Sequence, residues 1–299
     1  MANRPVSAKS GRSTVLYCLR NSMRQYRDPC IFCKEDKPLT RQHVWPAWLE
    51  KLFPHPKKSA TNFFQTQENR TSAHGISISA RTKIRQGYLL SVKYRKVCAQ
   101  CNNVWLSGLE EAVKPVVEKL ISGIETELTS EDQASLALWI SIVAIMAELT
   151  HPENMGIPSS VPNQVYQTKS PLPFSRIYLG QYLGSEYAPY RYRHRAGFLI
   201  SPQAFNQELT TQTISNCQTS VFVLGELLVV VDSANEEHYS DFAQARTGVG
   251  SSLIQIYPLS SKSIRWPPTG PVGDALLDLI CIGRFLSFYD PLNINSTIN

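Results

Sequence analysis

The 299-residue chain is 42% hydrophobic, has a net charge of +6 and contains no low-complexity tract, which excludes a disordered or fibrous protein and leaves room for one large domain or two ordinary ones. Its longest apolar stretch, residues 136–149, is interrupted by Ser141 and Glu148 and is too short to cross a bilayer. The polar, basic start is followed by only a brief apolar run, shorter than a secretory leader requires, so a soluble, cytoplasmic protein is expected.

Residues 1–29 read as a basic arm. Arg20, Arg24 and Arg27 recur at i, i+4 and i+7, so a helix there carries a basic stripe. Residues 30–127 read as one module. Its first part, 30–48, is a knuckle leading into an extended segment that Pro46 closes, because the residue before proline disfavours the α region. Trp45 and Trp48 are expected to pack on this module. Residues 54–86 are rich in Lys, Ser, Thr, Asn and Gln and read as an insertion, with a β-ribbon around Ile76-Ser77-Ile78. Residues 88–94 resemble a strand. A helix begins at about Cys101, with Trp105, Leu109 and Val113 at helical spacing, and Pro115 is expected to end or kink it. The pattern resumes to Gly123.

Residues 128–299 are predicted to form a mostly antiparallel α+β domain. Thr129 with Glu131 and Asp132 looks like an N-cap with an acidic first turn, opening an apolar core helix over about 131–150. Strands are predicted at 176–183, 195–200, 212–217, 221–231 with a turn near Gly225, and 253–258. A last helix is predicted over 274–286.

Seven cysteines is an odd number, and four of them form two CxxC knuckles, Cys30/Cys33 and Cys98/Cys101. Four thiolates in two short knuckles can enclose one tetrahedral zinc, and in a reducing compartment this pattern favours metal over disulfides. Cys18, Cys217 and Cys281 read as small buried apolar residues. The charge is split along the chain. Residues 1–105 hold 19 Lys and Arg against 5 Asp and Glu, a net +14; residues 106–299 hold 11 against 19, a net −8. A basic excess in the segment with the knuckles points to a phosphate backbone, so nucleic acid is the expected partner, DNA before RNA.

Cys30xxCys33, then His43-Val44-Trp45-Pro46, then Cys98xxCys101-Asn102-Asn103-x-Trp105 together resemble the HNH endonuclease superfamily over residues 30–112. The resemblance implies a treble-clef, ββα-metal fold with a structural zinc and a second divalent cation, Mg²⁺ or Mn²⁺, at the cutting site. By position it makes His43 the general base and Gln42 and Asn102 the ligands of the catalytic cation. Arg41, Lys93, Arg95 and Lys96 are the expected nucleic-acid contacts. Two departures stand out. Gln42 offers a neutral carbonyl oxygen where the family has an acid, and Mg²⁺ strongly prefers charged oxygen. Residues 93–97 also lack the Asn that orients the base histidine in the family. His43 and Cys98 are separated by 54 residues, so Asn62, Asn69 or His74 of the insertion are candidates for that role.

Other uses of these residues stay open. His43 can serve packing or phosphate contact, and Asn102 can cap a helix. Glu110 and Glu111 are candidates for the missing carboxylate, though a solvated acidic helix face is the plainer reading. His151, His194 and His238 have no metal-like spacing, and residues 191–195 read as an exposed strand. The alternative function is a zinc-stabilised nucleic-acid-binding protein that has lost its chemistry through Gln42, within a prokaryotic defence or mobile-element system. In the endonuclease reading the acidic C-terminal part is expected to recognise a protein partner, a ligand or another copy of the chain.

Overall fold

The computed structural model describes residues 28–53, 62–71, 77–86, 88–150, 152, 155–197, 217–235, 251–259 and 262–287. The basic arm with Arg20, Arg24 and Arg27, residues 198–200 of the strand predicted at 195–200, residues 212–216 of the strand predicted at 212–217, and Cys18, His74, His151 and His238 lie outside the described residues.

The N-terminal half is built on a split hairpin. Strand β1 (Leu39–His43) pairs antiparallel with β4 (Lys93–Cys98), from Leu39 opposite Cys98 to His43 opposite Lys93. Between them come a short helix α1 (Leu49–Leu52) and a two-stranded ribbon, β2 (Asn62–Thr71) with β3 (Ser77–Gln86). A 3₁₀ turn, Leu89–Ser91, follows. The predicted strand at 88–94 is therefore a turn before β4. Ser91 closes it by donating from both its amide (3.0 Å) and its hydroxyl (2.8 Å) to the Tyr88 carbonyl. After β4 the chain enters a π-turn, Cys101–Leu106, that continues as helix α2 (Ser107–Ile121). Pro115 lies inside α2 without ending it, because Val113, Val117 and Leu120 bury the face on both sides of it. Gly123, at φ +66°, ends the helix as its position predicts.

The C-terminal part is α+β, as expected. Helix α3 (Ser130–Glu148) opens with a capping box. The Asp132 amide donates to Thr129 Oγ1 at 3.1 Å, and the Thr129 amide donates back to Asp132 Oδ2 at 2.9 Å. Helix α4 (Val161–Thr168) follows. Strands β6 (Ser175–Gln181), β7 (Tyr190–Gly197), β8 (Cys217–Leu224), β9 (Leu227–Ala234) and β10 (Ile254–Tyr257) form one antiparallel sheet in the order β10-β6-β9-β8-β7. β8 and β9 are buried almost throughout, polar Gln218, Thr219, Ser220, Asp232 and Ser233 included, because both faces of the sheet are covered. Ile177, Phe222, Val229 and Val231 pack with α3 and the N-terminal half. Tyr178, Val221, Leu228 and Val230 pack with Leu277 and Ile280 of the last helix, α5 (Asp274–Ser287). The β8–β9 turn docks on α2, since Glu226 N–H donates to the Ile121 carbonyl at 2.9 Å. Gly225, at φ +57°, permits this approach: a Cβ there would sit 2.5 Å from that carbonyl oxygen.

No break in packing marks the expected boundary at 127/128. Strand β5 (Thr126–Leu128) pairs with β11 (Ile264–Trp266), and one buried cluster runs from Cys30 through α2 and α3 into the sheet. Trp45, 2% exposed, leaves the metal module and meets Phe222 edge-on at 5.2 Å and Tyr192 at 6.1 Å. An indole gains most where aromatic rings face it edge-on in a dry site, which the sheet provides. β7 starts five residues before its predicted position because Tyr192 stacks on Phe222 at 5.2 Å. Arg191 and Arg193 are exposed as expected for that stretch, but the His194 side chain is 1% exposed.

Glu148 closes α3 at a buried polar junction. Its carboxylate accepts from the amides of Gly156 and Ile157, the latter at 3.0 Å, and lies 3.7 Å from His194 Nε2. Burial pushes this carboxyl up to about 7, which the two N–H bonds only partly offset. Replacing it with alanine leaves two buried donors unsatisfied, a loss of about 3 kcal/mol or more. Glu148→Ala should therefore lower Tm by roughly 6–12 °C in a thermal melt, and Glu148→Gln, which keeps an acceptor oxygen, by clearly less. Equal shifts for the two variants would contradict this account. Among the described residues, no helix is long and apolar enough to cross a membrane.

Candidate functional site

The two knuckles meet at one point. The Sγ atoms of Cys30, Cys33, Cys98 and Cys101 lie within 4.8 Å of one another, and all four are free thiols. A tetrahedral ion with bonds of about 2.3 Å to sulfur sets its sulfurs about 3.8 Å apart; Cys33 Sγ and Cys98 Sγ are 3.7 Å apart. The cluster can therefore hold a metal such as zinc. Lys34, at φ +61°, turns the first knuckle and donates its amide to the Cys30 carbonyl at 2.9 Å. Ile31 N–H donates to the Lys96 carbonyl at 3.0 Å, which fastens this knuckle to β4. Burial pushes the Cys30 thiol up, but the amides of Cys98, Cys33 and Phe32 aimed at its sulfur outweigh burial and leave it below its ordinary value. Burial and the charge of Cys30 push the Cys101 thiol up. Four thiolates this close repel, and a divalent cation relieves that repulsion.

The knuckle is braced from the C-terminal half. Trp105 packs edge-on against Phe32 at 5.2 Å and Tyr166 at 5.0 Å, and Lys169 Nζ lies 4.1 Å above the Trp105 ring. Asn163 Nδ2 donates to the Phe32 carbonyl at 2.5 Å, and Lys34 Nζ to the Ser159 carbonyl at 3.1 Å.

One face of β1 looks onto the helix. Asn102 Nδ2 donates to Thr40 Oγ1 at 2.9 Å, and Thr40 Oγ1 donates to the Val97 carbonyl at 2.9 Å. Two residues on, Gln42 is 6% exposed and its side chain hydrogen-bonds the Glu110 carboxyl. Burial pushes that carboxyl up to about 7; Glu111 adds to the rise and Gln42 opposes it. A solvated acidic helix face thus describes Glu111, which is exposed, and not Glu110. The π-turn is the reason. It takes about one extra residue per turn, so Asn102 and Glu110 come round to the β1 side together. The sequence held a signal for this: Leu106, Glu110, Val113 and Val117 fall at i, i+4, i+7 and i+11, which sets Glu110 in a buried stripe.

His43 is one residue along from Gln42 and belongs to the opposite face of β1 by the strand's alternation. It is half-buried opposite Lys93. Burial lowers its pKa, the Lys93 charge lowers it further, and Glu50 opposes both. Gln42, Asn102 and Glu110 therefore share one face, and His43 lies on the other face of β1, near Lys93 and Glu50. β4 carries one extra residue opposite Arg41, where the register jumps from Thr40–Val97 to Gln42–Tyr94. Arg41, Lys93 and Arg95 are exposed around this bulge, and Lys96 is drawn aside to Asp28 Oδ2 at 2.5 Å. Of the candidates for an orienting amide, Asn62 opens β2 and Asn69 lies near its end. Cys217 and Cys281 are buried, as expected.

The chain matches no known family model, no curated protein and no solved structure.

Proposed function

We propose that this chain is a metal-dependent endonuclease of HNH type acting on DNA. The observation that carries the reading is the face shared by Gln42, Asn102 and Glu110, with His43 the next residue of β1, built on a hairpin and helix that also carry the four-cysteine cluster. In this reading zinc at Cys30, Cys33, Cys98 and Cys101 is structural and the unit is a treble clef. Gln42, Asn102 and Glu110 would hold the second cation. Two amide oxygens and one carboxylate suit Mn²⁺ better than Mg²⁺, which demands charged oxygen. When bound, that cation stabilises charge on the phosphorane and on the leaving oxygen.

The chain's own groups do the rest. Burial and Lys93 hold His43 neutral near pH 7, the state in which an imidazole nitrogen accepts a proton from water. The water oxygen bonds to phosphorus as the bond from phosphorus to the 3′-oxygen breaks. Arg41, Lys93 and Arg95 hold the flanking phosphates. With supercoiled plasmid DNA and Mn²⁺, wild-type protein should nick the substrate. His43→Ala should slow nicking by roughly 10²–10⁴-fold with unchanged zinc content and melting. Nicking unaffected by His43→Ala would overturn the assignment of the base.

One observation favours a second reading. Gln42 stands at the acidic position and spends a hydrogen bond on Glu110, as suits a protein that binds nucleic acid without cutting it. Duplex binding with no nicking in any divalent metal would select that reading.

A further inference from the structure

The β2–β3 ribbon is an element that the proposed chemistry does not use. Its ten residue pairs run without a bulge from Asn62–Gln86 at the root to Thr71–Ser77 at the tip. Among the described residues it pairs with no third strand. At about 3.3 Å per residue it reaches about 33 Å from its root. In chain order it lies between α1 and the 3₁₀ turn, within the connection from the His43 end of β1 to the Lys93 end of β4. A lone two-stranded ribbon is at best marginally stable in water, so an element of this length gains by lying against a partner.

The register sorts its residues into two unlike sets. Directly opposed residues and alternate positions belong to one face of a ribbon. One set pairs Phe63 with Arg85, Gln65 with Lys83, Gln67 with Arg81, and Asn69 with Ser79. It holds three cations, three amides and no acid. The other set pairs Asn62 with Gln86 at the root, then Phe64 with Ile84, Thr66 with Thr82, Glu68 with Ala80, and Arg70 with Ile78. It is mostly apolar and hydroxylic, with its charges balanced. A face that sets a row of cations on β3 beside a row of amides on β2, with no carboxylate, is the chemistry of a groove reader. Cations meet phosphates, and Gln, Asn and Arg match the donor and acceptor pattern of base edges. A two-stranded ribbon also fits the major groove of B-form DNA.

We propose that the β2–β3 ribbon is a DNA-reading arm that enters the major groove of duplex DNA. Arg81, Lys83 and Arg85 supply the backbone attraction, and Gln65, Gln67 and Asn69 supply sequence preference. The inference rests on the DNA-acting reading for its class of partner, but not on cleavage.

The test is binding of zinc-loaded full-length protein to labelled 30-base-pair duplexes without added Mg²⁺ or Mn²⁺, over a range of salt. The triple variant Arg81→Ser/Lys83→Ser/Arg85→Ser should lose roughly tenfold or more in affinity, and its slope of log affinity against log salt should fall by roughly 2 to 3. The variant Gln65→Ala/Gln67→Ala/Asn69→Ala should keep the slope and lose discrimination among duplex sequences. Zinc content and melting should match wild type in both. An unchanged slope in the triple variant would overturn the inference, as would a loss seen only with single-stranded DNA or with RNA. Ribbon-dependent binding by a chain that never nicks DNA would uphold this inference and sink the nuclease reading. Nicking with ribbon-independent binding would do the reverse.

Discussion

Cys98→Ser should abolish the native fold of this protein well beyond the four-cysteine cluster. Metal analysis should find one zinc per wild-type chain and none in the variant. In small modules of this kind, zinc binding contributes about 10–16 kcal/mol of folding free energy, against a net stability of about 5–15 kcal/mol for a whole domain. The loss should not stay local, because the knuckle is not a separate bead. Asn163 holds the Phe32 carbonyl, Trp105 joins Phe32 to Tyr166, and Trp45 carries the hairpin into the aromatic face of the sheet. Circular dichroism should show loss of the cooperative melt, and a chelator should reproduce it on wild-type protein. A Cys98→Ser protein that melts like wild type, or wild-type protein purified free of metal, would remove the zinc site from this account.

Gln42→Glu should raise cation-dependent nicking by roughly tenfold or more, the scale of a changed metal ligand or its support. The gain should be larger with Mg²⁺ than with Mn²⁺, because Mg²⁺ suffers more from a neutral ligand. The substitution places a second carboxylate beside Glu110. Metal-free Gln42→Glu should therefore melt below wild type and recover when Mn²⁺ is added. Glu110→Gln should cancel both the recovery and the gain in nicking. The pH dependence has a definite sign. The Glu110 carboxyl titrates at about 7 in the folded chain, above its ordinary 4.5. The folded state thus keeps this proton to higher pH than the unfolded chain does, so metal-free stability declines as pH rises from about 4.5 to about 7. A cation competes with that proton, so its affinity should rise between pH 6 and pH 8, and Glu110→Gln should flatten the rise. If Gln42→Glu and His43→Ala both leave nicking unchanged, the nuclease reading fails and the binding protein stands.

Features that depend on a few neighbouring residues were legible in the sequence. The two CxxC knuckles are legible as candidate metal ligands, because the spacing within each is a local property of the chain. The start of α3 is written in Thr129 and Asp132, the β8–β9 turn in Gly225, and the end of α2 in Gly123, since caps and tight turns are decided within about one turn of chain. The α+β class follows from the change of apolar period after residue 170. Features set by contacts between distant segments were not legible. The hydrogen bond between Gln42 and Glu110 depends on which helix face meets β1, and the π-turn that rotates that face leaves no mark on the apolar period. Trp45 had suitable surroundings in the metal module by sequence, and only folding brought Phe222 and Tyr192 to it. The early start of β7 likewise came from the ring of Phe222 on a neighbouring strand. By itself the sequence determined the paired cysteines, the helix caps and the split of charge. The tertiary structure decided which carboxylate stands beside Gln42 and which aromatic residues weld the knuckle module to the sheet, because burial rewards whichever surfaces fit once the chain has closed on itself.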